Sequence, residues 1–165
     1  MQRLGNTVVN DASARGRLIG VIAASGAGKD TLLAGLKTIR PEIVVARRVI
    51  TRPEGAGGER HEGVDTAEFE RRRQAGSFSI WWRAHGLSYG IPVSINNQLA
   101  EGRTVLFNGS RSAVPGIRKT YPDLATILIT APTEVLRKRL VTRRRESADQ
   151  IEARLSMADM AAPKG

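Results

Sequence analysis

The run Ala23-Ala24-Ser25-Gly26-Ala27-Gly28-Lys29-Asp30-Thr31 has the residue types and spacing of a phosphate-binding loop. Glycines and small residues let consecutive backbone N–H groups converge on phosphate oxygens, and a helix that starts just after them adds a potential favourable to negative charge. Lys29 is then placed to bridge terminal phosphates. Two positions depart from the general pattern. The first glycine is replaced by Ala23, and the hydroxyl residue that ordinarily follows the lysine is Asp30, with Thr31 one position late. A carboxylate ligates Mg²⁺ directly or through water, so Asp30 is the expected metal ligand. A second cluster sits far along the chain: six basic residues between Arg137 and Arg145, with no acidic or aromatic residue among them.

The loop can hold phosphate only if a strand delivers it and a helix leaves it. Arg17 to Ala23 (RLIGVIA) is a short apolar, β-branched run, and Lys29 to Ile39 has helical spacing through Leu32, Leu33 and Leu36. A second β-rich run, Ile43 to Thr51, ends at Arg52-Pro53, where proline biases the preceding residue toward extended geometry. Glu54 to Gly63 is a loop rich in glycine and charge, followed by a short helix from an Asp65/Glu68 capping box to Gly76. Phe78 to Gly90 is predicted to form a small strand pair. Beyond Pro92 the pattern alternates: a helix to Gly102, a strand from Thr104 to Phe107, a helix from Ser112 to Lys119, and a strand from Leu124 to Thr130. Pro132 opens a helix through Leu140, and Ser147 with Gln150 starts another that runs to Met160. Alternating strands and helices imply an α/β fold, a mainly parallel sheet with helices on both faces. The segment 54–90 breaks that rhythm and is expected to form an inserted lobe.

The chain has 165 residues, 41% apolar and 25% charged, the profile of one globular domain. It contains no cysteine, which excludes disulfides, thiolate metal sites and cysteine nucleophiles. A net charge of +10 calls for an anionic partner. Aromatic residues make up only 4% of the chain, too few for base-stacking platforms, so phosphorylated metabolites are favoured over nucleic acid. Met1 to Arg17 is polar, and no apolar run reaches the roughly 20 residues of a membrane span; a soluble, cytoplasmic protein without a membrane partner is expected. His61 and His85 lack partners at metal spacing, and Trp81 and Trp82 are expected to pack the inserted lobe.

From Gly20 to about Ala158 the chain resembles the guanylate-kinase-like P-loop kinases, and more closely their phosphonate-metabolism branch, the ribose 1,5-bisphosphate phosphokinases. The resemblance rests on Ser25-Gly-Ala-Gly-Lys-Asp-Thr31, Arg47-Arg-Val-Ile-Thr-Arg-Pro53, Gly57-Gly-Glu59, Ala84-His-Gly86 with Tyr89-Gly-Ile-Pro92, and Asn108-Gly-Ser-Arg111, in that order. It implies a three-layer P-loop NTPase fold: a flexible tail over 1–16, a kinase domain over 17–165, an acceptor lobe over about 54–90 and a lid over about 141–150. The family's pattern also carries a strand and helix beyond the helix that ends near Met160, which the sequence, ending at Lys164-Gly165, does not include.

The same resemblance implies ATP with Mg²⁺ bound over Ala23 to Thr31, and transfer of the γ-phosphoryl group onto ribose 1,5-bisphosphate. Lys29, Arg139, Arg143 and Arg154 match phosphate-facing positions and are the expected catalytic residues; Arg48, Arg52, Glu59, Tyr89 and Asn108 are the expected acceptor site. Guanylate kinase itself has a second clamp arginine where this chain has Glu54 to Gly57, and two polar base-reading residues where it has Ile80 and Ile91. A site built for a purine edge loses its hydrogen-bond discrimination by such changes, so the expected acceptor carries no base. Guanylate kinase, and a non-catalytic module of the same fold, are the alternatives.

Overall fold

A computed structural model describes residues 16–23, 27–56, 60–143, 151, 152 and 155. In chain order its elements are β1 (Leu18–Ala23), α1 (Lys29–Ile39), β2 (Val44–Val45), β3 (Val49–Ile50), β4 (Glu62–Gly63), α2 (Thr66–Gln74), β5 (Phe78–Ala84) and β6 (Leu87–Pro92). There follow α3 (Ile95–Ala100), β7 (Val105–Asn108), α4 (Val114–Thr120), β8 (Ala125–Ile129) and α5 (Thr133–Arg143).

The first sheet has the order β2-β7-β1-β8, with every pairing parallel. Strand β1 shows why this sheet is covered on both faces. Leu18 and Ile22 join one apolar layer with Val105 and Phe107, whereas Ile19 and Val21 join another with Leu106 and with Leu33 and Leu36 of α1. That is the two-residue alternation of a strand between two helical layers. Gly20 makes room for the Phe107 ring: a Cβ there would stand 3.2 Å from Phe107 Cζ. Of the three leucines whose spacing marks α1 as helical, Leu33 and Leu36 pack inward while Leu32 is 48% exposed.

The second sheet, β4-β3-β6-β5, is mixed. Strand β3 runs parallel to β4 and antiparallel to β6, and β5 and β6 form a hairpin. The β-rich run 43–51 is therefore two strands in two sheets, because the chain leaves β7 after Ala46 and reaches β6 by Val49. Local β-propensity does not state which neighbour a strand pairs with. One apolar cluster joins the two sheets, with Ile80, Trp82 and Ile91 packed against Leu18, Val105 and Phe107. Burying an aliphatic or aromatic side chain of this size contributes roughly 1.5–3 kcal/mol, so this shared cluster holds the two sheets in one unit.

Helix α2 opens with the Asp65 carboxylate accepting from the Glu68 N–H at 2.7 Å. The Glu68 carboxylate in turn accepts from Arg71 and Arg72, whose guanidinium groups lower its pKa from 4.5 to about 2. Arg72 also reaches Glu62 on β4, and Glu70 takes both Arg73 and Arg83, tying α2 to β5. Helix α5 runs through Arg143, three residues past Leu140 and into the arginine cluster. Among the described residues no helix is long and apolar enough to cross a membrane.

Candidate active site

Gly28 ends the phosphate loop with φ of 89°, the left-handed region that glycine occupies without strain, and it caps α1 with no side chain bonded to the first turn. The first N–H groups of a helix have no partner within the helix, so this end of α1 is fitted to an anion. Lys29, the first residue of α1, donates from Nζ to Oδ1 of Asn108. Asn108 is buried at the carboxyl end of β7, in register with Val21 of β1, which places it beside the loop that β1 feeds. In open α/β sheets ligands bind at these carboxyl ends. Asp30 and Thr31 follow on the first turn, Asp30 half-buried and Thr31 exposed. Arg139 of α5 extends over the same end: its Nη1 lies 3.5 Å from where a Gly28 Cβ would be.

Asn108 also faces the other way. Its backbone carbonyl accepts from Arg48 Nη1 at 3.2 Å. Arg48 is 9% exposed, on the crossing between β2 and β3, and its guanidinium lies 5.0 Å from the centre of the Tyr89 ring. Tyr89 on β6 stacks on Trp82 of β5, with ring centres 5.2 Å apart and planes within 6°. A guanidinium over an aromatic face is attracted electrostatically by the ring quadrupole. The contacts Lys29–Asn108–Arg48–Tyr89 thus form one continuous path from the phosphate loop to the second sheet.

Arg52 lies just beyond β3. Its Nη2 is 3.5 Å from His61 Nδ1, and its Nε is enclosed with no hydrogen-bond partner. Thr51 ties this corner to β6, its N–H donating to Ser88 O at 3.1 Å and its Oγ1 accepting from Ser88 N at 2.9 Å. Exposed Arg47 donates to Glu54 Oε1 and to His61 O, both at 3.0 Å. The two isoleucines at the base-reading positions are cross-strand partners in the β5–β6 hairpin, 4% and 0% exposed, and both belong to the shared apolar cluster.

The structure therefore brings together Lys29, Asn108, Arg48 and Tyr89, sets Arg139 over Gly28, and places Arg52 on the next turn of chain. Ala23 ends β1, and Ala27 packs beside the cluster of Leu136 and Leu140. The residues Ala24, Ser25, Gly26, Glu59 and Arg154, and the side chain of Arg143, lie outside the described residues. Sequence reasoning passed over His61. Its signal is a histidine next to a segment already singled out, Gly57-Gly-Glu59, but its part in the site depends on contacts with Arg52 and Pro53 that no local pattern announces. Trp82 was expected to be packing and is packing, stacked on Tyr89, whereas Trp81 is 45% exposed under Arg73.

No family model matches the chain. Among solved structures, guanylate kinase from Anaplasma phagocytophilum aligns with a TM-score of 0.63 and 21% identity, over 88% of this chain and 75% of that one, which shows the fold. The chain is 44% identical to the bifunctional ribose 1,5-bisphosphokinase-thymidine phosphorylase of Cupriavidus necator over 91% of its own length, and spans a quarter (25%) of that longer protein. The ribose 1,5-bisphosphate phosphokinase of Pseudomonas paraeruginosa is 47% identical, over 86% of this chain and 77% of that one. The corresponding enzyme of Azotobacter vinelandii is 45% identical, over 86% of this chain and 78% of its own. Identity at this level across more than three quarters of such single-activity relatives, on a fold that the kinase neighbour shares, means that the chain belongs to the ribose 1,5-bisphosphate phosphokinase family.

Proposed function

We propose that the protein transfers the γ-phosphoryl group of ATP to the 1-phosphate of ribose 1,5-bisphosphate, giving 5-phospho-α-D-ribose 1-diphosphate and ADP, in the cytoplasm and as a step of phosphonate catabolism. The observation that supports the acceptor choice is an apolar core beside an arginine grip: Ile80 and Ile91 are cross-strand partners in the core, while Arg48 is held between the Asn108 carbonyl and the Tyr89 face.

The chemistry needs little beyond alignment and charge. A 1-phosphate oxygen, already ionised near neutral pH, attacks the γ-phosphorus as the bond to the β-phosphate oxygen breaks and ADP leaves with those electrons. No strong general base is required. Lys29 faces the terminal phosphates of the donor, and the end of α1 with the loop 23–31 holds the remainder. Arg48 and Arg52 take the acceptor's phosphates, assisted by Glu59, Tyr89 and Asn108, and Arg139, Arg143 and Arg154 close on the transferred group. Among the described residues no three carboxylates or histidines gather into a metal cage. A nucleotide-bound Mg²⁺ does not need one, since it typically keeps its waters and takes one or two carboxylates plus substrate phosphates. Asp30 on the first turn of α1 fits that role, and Mg²⁺ there would neutralise charge on the β- and γ-phosphates. Asp30→Ser should then change the Mg²⁺ dependence of turnover; an unchanged Mg²⁺ titration would refute the assignment.

Phosphorus NMR of the protein with Mg-ATP and either ribose 1,5-bisphosphate or GMP tests the function. A new diphosphate signal with the sugar bisphosphate alone is the expected result. Turnover with GMP alone would transfer the activity to guanylate kinase, and silence in both tubes from folded protein would make the chain a non-catalytic member of the fold.

A further inference from the structure

We infer that His61 is a positioning residue: it holds Arg52 in place for the acceptor phosphate. The inference rests on the acceptor site proposed above and assigns a residue to which no phosphate contact has been given. His61 is 2% exposed, and its Nε2 lies 3.3 Å from Arg52 O and 3.1 Å from Pro53 O. Carbonyl oxygens only accept, so Nε2 carries the ring proton. Nδ1 then presents its lone pair, and it faces Arg52 Nη2 at 3.5 Å. A guanidinium only donates, so the tautomer fixed by the two carbonyls is the one that suits Arg52. One ring therefore grips both the backbone and the side-chain tip of the same residue. With Arg52 Nε enclosed and unpartnered, His61 is the hydrogen-bond partner of that guanidinium among the described residues.

The surroundings hold the ring in turn. Arg47 donates to His61 O at 3.0 Å, and Glu62 N donates to Arg48 O at 2.8 Å, fixing His61 beside the crossing that carries Arg48. On the far side Gly63 touches the same turn: a Cβ there would stand 2.5 Å from Arg52 O and 2.7 Å from Glu54 N, so only glycine lets the chain close. A long arginine side chain loses much rotational freedom when it binds a phosphate, and a prebuilt partner removes part of that loss beforehand.

The test is a double-mutant cycle of Arg52→Ala and His61→Phe, run with whichever of ribose 1,5-bisphosphate and GMP the wild-type protein phosphorylates. His61→Phe should raise the acceptor KM about 10-fold and Arg52→Ala about 100-fold, with kcat and the KM for ATP within about twofold. The double variant should cost no more than Arg52→Ala alone. Additive costs, or an equal rise in the KM for ATP, would overturn the positioning role. His61→Gln keeps an N–H donor near the two carbonyls and serves in the cycle if the phenylalanine variant does not fold. Turnover of GMP alone would overturn the proposed function and leave this cycle intact. If the wild-type protein turns over neither acceptor, the imidazole ¹⁵N spectrum decides, since the chain has two histidines and His85 is exposed. The buried ring is expected as the Nε2–H tautomer, and an Nδ1–H tautomer would overturn the inference.

Discussion

The two sheets hold their candidate phosphate-binding residues in different ways. On the first, Lys29 and Asn108 are placed by backbone: a strand, a left-handed glycine and a helix start position the lysine, and the last residue of β7 meets it. On the second, Arg48 and Arg52 are placed by contacts drawn from distant points, the Asn108 backbone carbonyl and the Tyr89 ring on Arg48 and the His61 ring on Arg52. A backbone-built grip suits the part of the substrate that every P-loop protein shares, the polyphosphate. A grip assembled from distant contacts can be exchanged residue by residue, and on this sheet Ile80 and Ile91 lie in the core while Arg48 lies over Tyr89.

The largest effect should come from the first sheet. Lys29→Met removes the cation at the terminal phosphates and should lower kcat about 10³-fold or more, the scale for loss of a transition-state charge partner. A loss below about tenfold in steady-state phosphoryl transfer would mean that the lysine held on Asn108 does not move onto the donor.

Arg48→Met tests whether the two grips are separate. Loss of a buried charged hydrogen-bond donor should raise the acceptor KM about 10- to 100-fold and leave the KM for ATP nearly unchanged. Equal shifts in both would show that the Asn108 bridge makes donor and acceptor sites one unit.

Glycine substitutions compare the sheets by packing alone. An alanine Cβ at Gly90 would stand 2.7 Å from the Phe78 ring, whereas at Gly20 it would stand 3.2 Å from Phe107. Gly90→Ala should therefore cost about 1–3 kcal/mol in denaturant unfolding and Gly20→Ala less. The reverse order would place the tighter packing in the parallel sheet.

The smallest effect should be at α2. Glu68 has its pKa lowered from 4.5 to about 2 by Arg71 and Arg72. A depressed carboxylate pKa contributes stability that is fully present above 4.5 and is lost as pH falls through about 2. Arg71 is exposed and Glu68 and Arg72 are only half-buried, so solvent screens the contribution and it is modest. Glu68→Gln should flatten acid unfolding slightly in that window, and a melting curve as steep in acid as the wild type would show that the arginines contribute nothing there.

Most of the secondary structure was legible. The loop 23–31, the strand before it and the helix after it are a contiguous pattern, and α2, β5, β6 and β8 stand near their predicted places. The β-rich run 43–51 did not disclose its division into two strands, because the break lies at Arg48, whose partner, the carbonyl of Asn108, is 60 residues away. The two-residue strand β4 was hidden in a loop rich in glycine and charge, since its partner β3 supplies the pairing.

The sequence by itself determined where the strand ends and the helix begins around the proposed phosphate loop and which cations are available, because a strand–loop–helix unit is built from consecutive residues whose backbone preferences are local. It also determined that the base-reading positions are apolar. Only the tertiary structure decided what those apolar residues fill, which arginine is buried, and that a histidine stands behind Arg52. These are matters of which distant groups satisfy one another once water is excluded. Burial creates the need for a partner, and the fold alone supplies it.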